Sequence, residues 1–124
     1  MPVMRKIMIY DDEYEMIDLL LRALHKEYFV EGYTETDHIC QQVENSRPDV
    51  ILIDYFIGNH NATRAIQSLK SNPDTAMIPI LLFSGYEKIE QVAELAPVEG
   101  YIRKPFSLIK LRESIAAAIN MPVS

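Results

Sequence analysis

Short apolar runs that each end on a polar residue constrain this chain more than any other feature. Arg5 to Tyr10 is apolar almost without a break through Ile7-Met8-Ile9-Tyr10 and stops at Asp11-Asp12. Val50-Ile51-Leu52-Ile53 delivers Asp54, and Ile78 to Phe83 delivers Ser84. Runs this short, with no polar alternation, read as strands buried on both faces. Phe29 to Tyr33, closed by Thr34-Glu35-Thr36, and Gly100-Tyr101-Ile102 read as two shorter strands. Pro79 near the start of the Ile78 run occupies a position a strand tolerates.

Between these runs the period changes to that of a helix. From Glu13 to Tyr28, Met16, Leu20 and Leu24 share a stripe with Ile17 and Leu21 beside it, while Asp18, Arg22 and Lys26 fall opposite. Asp12 stands at the expected N-cap, with Glu13 and Glu15 at the positive end of the helix dipole. A second helix is expected from Asp37 to Asn45 with Ile39 and Val43 inward, ended by Arg47-Pro48. Gly58-Asn59-His60-Asn61 reads as a loop, and Asn61 as the cap of a helix holding Ala62, Ala65, Ile66 and Leu69 up to Asn72-Pro73. Glu87 to Ala96 is weakly amphipathic through Ile89, Val92 and Ala93. Leu108, Leu111, Ile115 and Ile119 stripe a last helix that frays before Pro122.

Five strand-helix pairs imply an α/β fold, a parallel sheet with helices on both faces. Sites in such sheets lie outside the carboxyl ends of the strands. That rule selects Asp11 and Asp12, Asp54, Ser84 and, just past the last strand, Lys104. The chain has 124 residues, 48% of them apolar, enough for one core and one domain over 1–124. Twelve basic against eighteen acidic residues leave a net charge of −6, so direct nucleic-acid binding through phosphates is not expected. A single cysteine, Cys40, permits no internal disulfide. No apolar run approaches a membrane span, and the four glycines form no nucleotide-binding loop. A soluble, cytoplasmic domain is expected.

Three neighbouring carboxylates repel one another, and a hard divalent cation removes the conflict. Magnesium, which accepts few protein ligands and binds phosphate oxygens, suits an acidic pair plus a strand-end aspartate. A carboxylate can also attack phosphorus, with Lys104 supplying charge and Ser84 a donor to the transferred group. Each residue alone has an ordinary reading: a cap for Asp12, a turn former for Asp54, a turn at Ser84-Gly85 and a surface loop at Lys104-Pro105. Their common placement at one sheet edge is what points to chemistry.

Ile9-Tyr10-Asp11-Asp12-Glu13, Ile51-Leu52-Ile53-Asp54, Leu82-Phe83-Ser84-Gly85 and Tyr101-Ile102-Arg103-Lys104-Pro105-Phe106 resemble the receiver domain of two-component response regulators, over essentially the whole chain. The resemblance implies a doubly wound, three-layer (βα)5 fold, flavodoxin-like, with a five-stranded parallel sheet of order 2-1-3-4-5. It implies that Asp54 is the phosphoacceptor, served by a sensor histidine kinase or a phosphotransfer protein. Asp12 and Asp54 would bind Mg2+ directly, with the Phe56 backbone carbonyl, and Asp11 through water; Mn2+ could substitute. Lys104 would pair with acceptor and phosphoryl oxygens, and Pro105 would follow a cis bond. Ser84 and Tyr101 would form the switch. The face of the fourth helix, fifth strand and fifth helix would meet a downstream protein, or a second copy in a phosphorylation-dependent homodimer. Such a domain promotes its own phosphorylation and dephosphorylation without being a turnover enzyme.

The loop after Asp54 departs from that pattern. Gly58 stands where proline is common, and Asn61-Ala62 where an Asp-Gly pair usually occurs. Gly85 replaces a commoner alanine. Phe56 and Tyr86 occupy positions that flank the water hydrolysing the acyl phosphate, and two large rings there imply slow self-dephosphorylation. A magnesium phosphohydrolase of the Asp-x-Asp type would need an aspartate at Phe56, and a serine hydrolase a glycine in place of Leu82. His25, His38 and His60 are too scattered for a metal cluster. The remaining competitor is a receiver-like module that binds its partner without phosphorylation. Met1 with Pro2-Val3 reads as a natural start, and no attached output domain is expected, whether the chain stands alone or is cut from a longer regulator.

Overall fold

A computed structural model describes residues 4–120, so Met1, Pro2-Val3 and Pro122 lie outside it. The elements run β1 (Arg5–Tyr10), α1 (Tyr14–Leu24), β2 (Tyr28–Tyr33), α2 (Ile39–Ser46), β3 (Val50–Asp54), β4 (Phe56–Ile57), β5 (His60–Asn61), α3 (Thr63–Ser71), β6 (Ile80–Ser84), α4 (Ile89–Leu95), β7 (Gly100–Arg103) and α5 (Leu108–Ile119). Five strands form one parallel sheet in the order β2-β1-β3-β6-β7. Counting only these five, the order is the expected 2-1-3-4-5. Strands β4 and β5 make a separate antiparallel hairpin.

Alternation along the buried strands sorts the core into two layers. Met8, Tyr10, Ile51, Ile53, Ile80 and Leu82 face Ile39 and Val43 of α2, Ile66 and Leu69 of α3, and Ile89 of α4. Ile7, Ile9, Leu52, Leu81, Phe83 and Ile102 face Ile17, Leu20 and Leu24 of α1, and Leu111 and Ile115 of α5. Every residue of β3 and β6 is buried, which explains their unbroken apolar sequences. Among the described residues, no helix is long and apolar enough to cross a membrane.

Several expected boundaries move, each for a local reason. Helix α1 stops at Leu24, because Tyr28 is already paired with Arg5 in the sheet. Its N-cap is Glu13, not Asp12. The Asp11 carboxylate accepts the Glu13 N–H at 2.8 Å, which frees Asp12 from capping. Leu21 is exposed rather than part of the apolar stripe. Helix α2 begins at Ile39 and ends with Arg47 in the left-handed region at φ 50°. Asn61 belongs to the hairpin, and Ala62 takes the cap position of α3. Asn61 Oδ1 still accepts the Thr63 N–H at 3.0 Å. Strand β6 starts at Ile80; Pro79 precedes it and offers its carbonyl to Ile51 N at 3.0 Å.

The packing of α1 on β2 depends on Gly32. A Cβ at that position would lie 2.2 Å from Cγ2 of Ile17, a β-branched side chain fixed in the core. Gly32→Ala should therefore lower stability by about 1–3 kcal/mol in urea denaturation, as overpacking does. Gly85→Ala, whose Cβ would approach only Lys104 at 3.9 Å, should stay within about 0.5 kcal/mol of the wild type.

Candidate functional site at the carboxyl edge of the sheet

Strands β1 and β3 are adjacent, so the residues just past them emerge side by side. Asp11 leaves β1 fully buried, its backbone N–H donating to the Tyr33 carbonyl at 3.1 Å. Asp54 ends β3, 7% exposed, and its Oδ1 accepts the Phe56 N–H at 3.3 Å. Asp12 points to solvent, and its Oδ2 accepts the Gly58 N–H at 2.9 Å. One oxygen of each of these three carboxylates lies within 4.8 Å of the other two.

Lys104 reaches the same point from the far side. Its backbone N–H donates to the Ser84 carbonyl at 2.9 Å, extending the β6–β7 pairing past Arg103. Its Nζ then donates to Asp11 Oδ2 at 2.9 Å and to Asp54 Oδ2 at 3.1 Å, and lies 4.6 Å from the Phe83 ring centroid. The Lys104–Pro105 bond is cis. Burial would drive Lys104 toward neutrality, but its bonds to Asp11 and Asp54 outweigh burial and raise its pKa. Burial raises the Asp54 carboxyl too, and the Asp11 charge adds to that; the Lys104 ammonium and the Phe56 N–H offset only part.

Three carboxylates face one ammonium, so the ionised site keeps an excess of about two negative charges. Its free donors are all oxygens, and it opens through Asp12 to solvent. That donor set fits a hard divalent cation such as Mg2+ and does not resemble the nitrogen and sulfur sets that hold zinc.

Ser84 ends β6 next to this cluster and is buried; its Oγ accepts the Tyr86 N–H at 3.1 Å. Tyr101 lies on β7 at 38% exposure, turned away from the core. Phe56 and Tyr86 meet edge to face, their ring centroids 5.2 Å apart. Tyr55 was not foreseen. It contacts Phe56 at 4.8 Å and stacks on Tyr86 at 5.8 Å, so three rings join the loops after β3 and β6. The Tyr55-Phe56 pair directly after Asp54 was the available signal. His25, His38 and His60 are exposed on separate segments and take no part.

A parallel sheet of this order, with an acidic pocket and a lysine at its carboxyl edge, defines the CheY-like class of α/β signalling folds. The chain belongs to the response regulator receiver domain family, which matches it over residues 7–116. It is thus a phosphorylation switch with an acidic pocket, not a turnover enzyme, and receiver domains partner with histidine kinases. Response regulator MprA of Mycobacterium sp. (strain KMS) is 29% identical over 123 residues, covering 97% of this chain and 52% of that protein. The chain spans about half the length of the curated relatives it matches. The chemotaxis protein CheY4 of Vibrio cholerae shares the fold at a TM-score of 0.84 and 18% identity, covering 94% of this chain and 99% of that one. So does the receiver domain of sensor histidine kinase PA1611 from Pseudomonas aeruginosa PAO1, whose active site cleft coordinates a magnesium ion. Its TM-score is 0.85 at 18% identity, covering 96% of this chain and 100% of that one.

The Asp54 shift sets a pH dependence for the metal-free protein. Because the folded carboxyl has the higher pKa, the unfolded chain loses this proton first, and wild-type stability falls as pH rises through that window. Asp54→Asn has no such loss. In EDTA the variant should match the wild type below about pH 4, then become the more stable by on the order of 1 kcal/mol at neutral pH. Urea denaturation at the two pH values checks this, and a gap of equal size at both would contradict it.

Proposed function

We propose that this domain relays a two-component signal by accepting a phosphoryl group on Asp54 from the phosphohistidine of a sensor kinase or phosphotransfer protein. The observation that carries the reading is the Lys104 ammonium held between Asp11 and Asp54, 3.1 Å from the carboxylate that would react. An Asp54 oxygen attacks phosphorus, the P–O bond forms as the P–N bond breaks, and the leaving imidazole recovers a proton. Lys104 would pair with the oxygens of the transferred group.

Asp12, Asp54 and the Phe56 carbonyl would hold Mg2+ directly and Asp11 through water, with Mn2+ accepted by the same oxygens. When bound, the cation neutralises charge on the phosphoryl oxygens. Ser84 Oγ would then exchange its bond from Tyr86 N–H for one to the phosphoryl group. Tyr101, now partly exposed, would turn inward over Gly85, beside which a Cβ would meet nothing closer than Lys104 at 3.9 Å. The bonds made only by the phosphorylated site would shift a pre-existing equilibrium of the face formed by α4, β7 and α5. Of the elements of that face, β7 carries exposed Tyr101 and α5 exposed Ile109, apolar contacts available to a downstream protein or to a second copy in a phosphorylation-dependent homodimer. The net charge of −6 speaks against direct nucleic-acid binding by the domain.

With a small phosphodonor and Mg2+, intact mass should show one added phosphate on the wild type and none on Asp54→Asn. No gain on the wild type with any donor would favour a passive interaction module. The rings of Phe56 and Tyr86 leave attacking water little polar help, so release of the phosphate should be slow. Phe56→Asn with Tyr86→Ala should speed it about tenfold, equivalent to ~1.4 kcal/mol of barrier. Phosphate release over time measures both, and an unchanged rate would contradict the role of the rings.

A further inference from the structure

The hairpin after Asp54 supports one step beyond that reading, and rests on it: we infer that Gly58 is a positioning residue for the metal-binding carboxylate of Asp12. Of the three clustered carboxylates, Asp11 is held by Lys104 and by the Glu13 N–H, and Asp54 by Lys104 and by the Phe56 N–H. Asp12 is exposed and touches no ammonium among the described residues. Its one hydrogen bond there is from the Gly58 N–H to Oδ2 at 2.9 Å.

That donor comes from a braced turn. Gly58 lies between the strands of the hairpin at φ +60°. Ile57, 7% exposed, anchors the turn in the core, and the Tyr55 carbonyl closes its base by accepting the Ala62 N–H at 2.8 Å. A proline at this position could neither adopt φ +60° nor donate. A glycine does both, so the change of residue noted in this loop has a chemical consequence. A bond from N–H to an ionised carboxylate is stronger than one between neutral groups. It engages one oxygen and leaves the other free. The rotor of an exposed side chain is thereby fixed before the cation arrives, so the entropic cost of ordering it does not fall at binding. By linkage, the cation must in turn tighten the hairpin.

Calorimetric titration of the full chain with Mg2+ tests this. Gly58→Pro, which deletes the donor, should bind about tenfold more weakly. Gly58→Asn keeps the N–H, tolerates the left-handed region and meets no atom within 4 Å of its Cβ, so it should bind within about twofold of the wild type. Hydrogen exchange needs no metal and does not depend on Gly58→Pro folding: the Gly58 amide should exchange several-fold faster in Asp12→Ala than in the wild type. Equal Mg2+ affinity of Gly58→Pro and the wild type, or equal exchange with and without the Asp12 carboxylate, overturns the role of Gly58 and leaves the metal site standing. Failure of the wild type itself to bind Mg2+ overturns the metal site, and this role with it.

Discussion

One ammonium, Lys104, makes the carboxyl edge of this sheet possible. Asp11 has no exposed surface, and a carboxylate so placed folds as an ion only if it is paired and hydrogen-bonded. Lys104 and the Glu13 N–H supply both conditions. The same lysine also satisfies Asp54 and so joins the ends of β1, β3 and β7. It is not enough to neutralise the cluster. A site balanced by its own lysine would be an inert ion pair, whereas the charge left over here selects a cation and leaves Asp54 with a raised proton affinity. Stability and reactivity pull against each other within four side chains.

The sheet contributes accuracy of position while demanding little of the sequence. Strands β3 and β6 need only be apolar and of the right length, because period-two alternation feeds both core layers regardless of which aliphatic residue stands where. Register sets where the residue after each strand emerges. Asp54 is paired with Phe83, which brings Ser84 one residue further along beside it, and Ser84 is paired with Arg103, which brings Lys104 next. The polar residues thus arrive at one edge, and backbone bonds such as Lys104 N–H to Ser84 O hold them there.

This explains which features were legible in the residues alone. Buried strands and the polar residues ending them were legible, since both derive from local pattern and from a rule about parallel sheets. Local pattern failed where a long-range partner decided the outcome. Asp12 has the look of a cap, yet Asp11 supplies the acceptor because its own side chain reaches two residues forward to the Glu13 N–H, leaving Asp12 to the hairpin. Gly58 to Asn61 has loop composition, yet Ile57 is drawn into the core and the flanking residues pair. Helix α1 has helical period through Tyr28, but pairing with Arg5 claims that residue for the sheet. Tyr55 comes after a strand of uniform burial, and only its place beside Phe56 marked it locally; its packing on Tyr86 depends on a long-range partner.

Those rings bear on how easily the proposed switch would move. Ser84 and Tyr86 share a loop that is tied down three ways: by the Tyr86 N–H on Ser84 Oγ, by Tyr55 and Phe56 against the Tyr86 ring, and by Arg103 Nη1 on the Tyr86 carbonyl at 3.2 Å. A neutral hydrogen bond contributes about 1 kcal/mol and an aromatic pair about 0.5–1.5 kcal/mol. Hydrogen bonds from Ser84 and Lys104 to a doubly charged phosphoryl group would contribute roughly 1.5–3 kcal/mol each. The two sums are of similar size, and that is the condition for a switch. A loop held much more weakly would populate the active arrangement without phosphate, and one held much more strongly would ignore it. Because Tyr86 takes part in all three restraints, a substitution there would shift the resting population of the proposed switch before any phosphate arrives.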